Sequence, residues 1–241
     1  MSETTEVFRQ VRNDEKDIEA ILDGYKSRIR HDAWLADGLQ KDAIQNGWDA
    51  RIKKHGDGWE CGFSLNKTGK ETLLVIVDSG TYGLRGTRFR TEGELSKILL
   101  GGKREEDLAC FLNSNWSAKS HEEGGTRGRG KTIFMGASKD KRLYFESVRS
   151  SDGSYVFGEI YLDTDKQIKF KLFYDDPAKS LFADVTNNKI ELLVESGTRI
   201  LIPNPREEIV AAIKNGTALS LISSSHWEII KKYGAKIYVY D

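Results

Sequence analysis

Between residues 14 and 30, Ile18, Ile21, Leu22 and Tyr25 recur at helical spacing within a charged segment, which predicts an amphipathic helix. A second helix is predicted from Trp34 to about Lys54, where Leu35, Leu39, Ala43, Ile44 and Ala50 return every three or four residues. Polar Asp42, Asn46 and Asp49 share a neighbouring stripe, an unusual face beside a core. The period then changes. "WECGFSLN" and "ETLLVIVD", separated by "KTGK", read as a hairpin whose second strand, apolar from Leu73 to Val77, belongs at the centre of a sheet. From "DSGTYGLRG" to about Glu123 the chain is polar, irregular and charged, with one helix expected at "EGELSKILL", and this predicts a long mobile segment. "TIFMGAS" suits a short helix packed on a sheet, and "RLYFESVR", "SYVFGEIYLD", "KQIKFKLFYD" and "SGTRILIP" read as strands. "PREEIVAAIKN" and "ALSLISSSHWEIIKKYG" read as two helices, the second stopped by Gly234, and "AKIYVYD" as a last strand. Such an ending suits a completed sheet and an excised domain equally well.

Composition narrows the class without naming a chemistry. The 241 residues, 38% hydrophobic and 31% charged, suit one large globular domain, or one domain with an appendage. Thirty-seven basic and thirty-seven acidic side chains cancel, so nucleic acid remains a possible partner that charge does not indicate. Cys61 and Cys110 lie far apart without CxxC spacing, and His31, His55, His121 and His226 are scattered, so protein side chains alone suggest no metal site. No leader-like start and no apolar run of membrane-spanning length is present in the sequence, so a cytoplasmic protein without a membrane partner is expected.

The candidate chemistry centres on "GGTRGRGKT", Gly124 to Thr132. Counted from Gly125 it fits the G-x-x-x-x-G-K-[ST] phosphate loop. Such a loop must follow a buried strand, and "SNWSAKSHEEG" is not one. "KLFYDD" is likewise a weak imitation of the strand that would carry the magnesium aspartate.

Three other segments favour a different nucleotide fold. "DAIQNGWDA", "VIVDSGTYG", "GGTRGRGKT" and "SGTRILIP", in that order, resemble the four motifs of the Bergerat-fold or GHKL ATPases, the superfamily of gyrase B subunits, the ninety-kilodalton heat-shock chaperone, histidine kinases and mismatch-repair ATPases. The likeness runs from about Trp34 to Pro203. It implies an α+β two-layer sandwich, with a mixed, mostly antiparallel sheet, helices on one face and a long ATP lid. The implied nucleotide domain covers residues 1–205, with the lid at about 81–130, and residues 206–241 begin or link to a following region.

The resemblance also assigns roles. Asn46 would bind Mg2+ through its amide oxygen, Asp42 would take the general-base position, and Ala50 would line the cleft. Asp42 departs from the family's usual glutamate and is one methylene shorter, so its carboxylate reaches less far toward an attacking water. Asp78 would accept a hydrogen bond from the adenine amino group, with Gly80 and Gly83 beside it and Thr198 in support. Gly83 departs from the usual spacing because Tyr82 intervenes. Gly125, Gly128 and Gly130 would meet the phosphates, with Lys131, Thr132, Arg127 and Arg129 as further contacts and Lys119 and His121 on the lid.

The implied activity is Mg-dependent ATP hydrolysis, coupled to lid closure and to homodimer formation, in a switch that serves a downstream domain or effector. Two alternatives stand beside it. A non-hydrolysing ATP sensor is motivated by Asp42, and a histidine-kinase catalytic domain is disfavoured because His31 has no convincing phosphoacceptor setting.

Overall fold

The alternation along "ETLLVIVD" sets the architecture. Leu74 and Ile76 face one hydrophobic cluster, while Leu73 and Val75 face another on the opposite side. This strand is central in a computed structural model that describes residues 7–29, 32–53, 56–69, 71–101, 105–112 and 130–241. The strands are β1 (Val7–Asp14), β2 (Glu60–Thr68), β3 (Glu71–Ser79), β4 (Arg142–Val148), β5 (Tyr155–Leu162), β6 (Gln167–Tyr174), β7 (Gly197–Pro203) and β8 (Lys236–Tyr240). They form one eight-stranded sheet in the order β1-β6-β5-β4-β7-β3-β2-β8. Every pairing is antiparallel except that of β8 with β2. The chain is therefore a mixed α+β protein.

On the face of Leu74 and Ile76 lie α1 (Glu15–Arg28), α2 (Trp34–Asp49), α5 (Gly130–Ala137), α7 (Glu207–Lys214) and α8 (Thr217–Ser225), which contribute Ile18, Leu35, Ile44, Phe134, Ile213 and Ile222 to one core. The C-terminal helices α7 and α8 thus share one core with the elements before Pro205. The expectation of helices on one face alone needs correction: α6 (Asp175–Val185) packs Ala178 and Phe182 onto the opposite face, against Leu73, Val75, Phe157 and Leu201. The reason lies in the sheet, whose inner strands are apolar on both sides and bury both.

Other elements differ from the sequence reading for local reasons. β1 pairs at the edge with β6, and its charged side chains gave no core signal. The expected single helix at the end of the chain is two, α8 and α9 (Trp227–Tyr233), broken at His226 after three serines whose side chains compete for backbone groups. α2 stops at Asp49 rather than near Lys54, because the next residues pair with the loop after β3 instead.

The segment expected to be irregular is partly ordered by packing. It contains α3 (Glu92–Leu100), opened by a Thr91–Glu94 capping box, and α4 (Asp107–Leu112). Phe89, Leu95, Leu108, Ala109 and Leu112 are all buried in the main core. Buried Glu106 accepts the Thr87 amide at 2.7 Å and its hydroxyl at 2.8 Å, which closes this stretch on itself. Residues 113–129, the remainder of the expected lid, lie outside the described residues.

Candidate functional site

Asp78 stands near the carboxyl end of β3, in register with Cys61 of β2 and Thr198 of β7, and Thr198 in turn faces Ser147 of β4. Directly opposed residues of antiparallel strands project to the same face. One row of small polar groups therefore crosses four strands on the side that carries α2.

Within that row Asp78 Oδ1 accepts the Thr81 hydroxyl at 2.6 Å and the Thr198 amide at 3.2 Å. Oδ2 has no protein donor among the described residues. Burial pushes the Asp78 carboxyl up from 3.8 to about 6, against the opposing pull of the two donors. Burial also pushes the Cys61 thiol well above its usual range, and the neighbouring Asp78 charge adds to this. Ser147 completes the row: its hydroxyl donates to the Gly197 carbonyl at 2.8 Å and accepts the Leu84 amide at 2.8 Å.

The helix and the sheet meet here because α2 carries a glycine at the crossing. A Cβ on Gly47 would stand 3.2 Å from Asp78 Cβ and 3.4 Å from the Trp59 indole nitrogen. That nitrogen is buried and has no hydrogen-bond partner among the described residues. Backbone bonds then fasten the end of α2 to the β3 loop: Ile52 donates to the Gly80 carbonyl and Tyr82 to the Ala50 carbonyl, both at 3.0 Å. Gly80 adopts φ 70°, and a Cβ there would lie 2.3 Å from the Gly58 carbonyl oxygen, so only glycine fits. Gly83, also left-handed at φ 67°, sits against the Val148 carbonyl.

No protein-family model matches this sequence, and a comparison with curated proteins gave no match. What the site can do has to be read from its geometry.

Three of the four quoted segments converge: Asn46 on α2 with Ala50 just past its end, Asp78 on β3 with Gly80 and Gly83 after it, and Thr198 on β7. Asn46 is exposed, and its side chain is free among the described residues. Asp42, one turn earlier, is buried, and its Oδ2 accepts the Tyr25 hydroxyl. Asp49 instead accepts the Gln45 amide at 2.8 Å. Of the third segment, Gly130 opens α5 and Lys131 follows in its first turn, while Thr132 is buried at 1% exposure. Gly125, Gly128, Arg127, Arg129, Lys119 and His121 lie outside the described residues.

The arrangement offers an open carboxylate oxygen and a spare indole donor around Gly47, and a free amide at Asn46. These are groups a polar heterocycle and a hydrated cation can use. No cluster of three His, Cys, Asp or Glu side chains among the described residues could hold a metal, so a cation at Asn46 needs further oxygens from its ligand. A cavity of about 600 Å³ lies elsewhere, lined by Glu71 at the start of β3, Lys139 and Asn204, and holds none of these groups.

Thr81, Gly47, Ser147 and Tyr25 escaped the sequence reading. Thr81 and Gly47 stand inside quoted motifs, so a search for donors and close approaches within them would have found both. Ser147 and Tyr25 have no local signal, since only strand register and helix packing bring them in.

Proposed function

We propose that this chain is an ATP-binding domain of the Bergerat type, in which Asp78 selects adenine and Asn46 carries a nucleotide-bound Mg2+. The observation that carries the reading is the state of Asp78: one oxygen is tied to Thr81 and Thr198, and the other is open beside the helix that bears Asn46 and Asp42. An acceptor held in this way takes the exocyclic amine of adenine and repels the oxygen at the same position of guanine. Ala50, Gly80 and Gly83 would line the cleft, where their small or absent side chains let a ligand approach the backbone. Gly125, Gly128 and Gly130 belong to the proposed lid and Lys131 and Thr132 follow it as candidate phosphate contacts; closure of the lid over ATP would drive pairing of two copies in the cytoplasm and hand a signal to a downstream partner.

Hydrolysis follows if Asp42 serves as the base. The competing reading, a sensor that binds ATP without turnover, is favoured by the burial of Asp42 and by its side chain being one methylene shorter than the usual glutamate. Calorimetric titration with ATP and GTP in the presence of Mg2+ tests the pocket. The wild-type chain is expected to bind ATP in preference to GTP, and Asp78→Ala to lose at least about tenfold in ATP affinity, since a buried polar partner is removed. Equal affinity for the two nucleotides counts against adenine selection by Asp78.

A further inference from the structure

Asp42 is approached from outside its own helix. Tyr25 lies on α1, and its ring runs along the α2 backbone at Gly38. A Cβ on Gly38 would stand 3.0 Å from Tyr25 Cδ1 and 2.5 Å from Ile133 Cδ1 of α5. Only a residue without a side chain lets α1, α2 and α5 close together at this level. Gly38 and Asp42 are four apart, one turn along the same face of α2. The ring that crosses Gly38 therefore delivers its hydroxyl to the next turn, where it donates to Asp42 Oδ2.

We infer that Tyr25 is a positioning residue for the Asp42 carboxylate, a role that rests on the ATP-hydrolysing reading of the site. An aspartate has one fewer rotatable bond than the glutamate usual at this position, so it reaches less far and gains more from being held in one orientation. In the reaction the water oxygen bonds to the terminal phosphorus and the bond to the bridging oxygen of ADP breaks. The water's proton passes to Asp42 and from there to solvent. Tyr25 touches none of the reacting atoms and acts only through Asp42.

Tyr25→Phe keeps the ring over Gly38 and removes only the hydroxyl. Its melting temperature is expected to match wild type, and its Kd for a non-hydrolysable ATP analogue and its KM to stay within about twofold, while kcat falls about tenfold. A role in packing alone predicts the reverse: no change in Tyr25→Phe, and a loss of stability in Tyr25→Ala. A kcat for Tyr25→Phe equal to or above wild type overturns the proposal and leaves the nucleotide pocket standing. Analogue binding without phosphate release by the wild-type chain overturns it as well, along with Asp42 as base. If the wild-type chain binds no analogue, the nucleotide reading itself fails and takes the proposal with it. Should Tyr25→Phe melt below the assay temperature, site-specific 3-fluorotyrosine at position 25, which alters the phenol's acidity and keeps the ring, replaces it. A kcat equal to that of tyrosine then overturns the proposal.

Discussion

Asp78 carries a cost to stability at the centre of the candidate site. Its carboxyl is held at about 6 in the folded chain against an ordinary 3.8. Below about pH 4 both states are protonated and the shift has no effect on folding. As the pH rises to about 6 the unfolded state has already released its proton while the native state retains it, so stability declines. Above about 6 the penalty is complete and constant. Asp78→Asn removes this titration, so its stability relative to wild type is expected to improve between pH 4 and pH 6 and to level off above that. Urea midpoints measured at pH 4, 5, 6 and 7 check this. A difference independent of pH would mean that the carboxylate is better solvated than its surroundings indicate.

At the scale of elements, the site depends on α2 ending where it does. The helical pattern continues past Asp49, but Arg51 pairs with Thr81 and Ile52 donates to Gly80, so the chain leaves the helix to join the β3 loop. Trp48 braces this exit, edge-on to Trp59 at 5.3 Å and beneath the Arg51 guanidinium at 4.1 Å. Gly80 is the element's weak point, since its left-handed backbone is pressed against the Gly58 carbonyl. Gly80→Ala is expected to cost about 2 kcal/mol or more, from backbone strain and the displaced loop. Chemical denaturation measures the loss, and a cost below about 0.5 kcal/mol would show that the loop has room to move.

Across the whole molecule the sheet separates two cores, one under the candidate site and one beneath α6. The α6 core also buries Glu146, which pairs with Arg199 at 2.5 Å and accepts the Tyr155 hydroxyl. Burial holds the Glu146 carboxyl above its usual range in spite of Arg199, so this pair fixes geometry at some cost to stability. Phe182 fills the centre of that core at 0% exposure, edge-on to Phe157. Phe182→Ala is expected to destabilise the chain by about 3–5 kcal/mol through a cavity on the face away from the site. Protein that remains folded should bind the proposed nucleotide as wild type does, because neither Asp78 nor α2 belongs to this core among the described residues. Denaturation and calorimetry on the same sample test the two halves of that statement. No described helix is long and apolar enough to cross a membrane.

Local pattern by itself determined most of the elements. Periods of two and of 3.6 mark the strands from β2 to β8 and the helices α1, α2, α3, α5 and α7, because the side chains of these segments report which face is buried. The set Asp42, Asn46, Asp78, Gly80 and Thr198 came from the motif resemblance and not from periodicity. Pattern does not carry information between distant residues, and there the tertiary structure decided. Strand register set Asp78 against Thr198 and brought Ser147 into the row; helix packing laid Tyr25 over Gly38 and onto Asp42; and the apolar outer face of the sheet called for α6. Each of these contacts joins segments far apart in the chain, and its energy exists only once both have been folded into place.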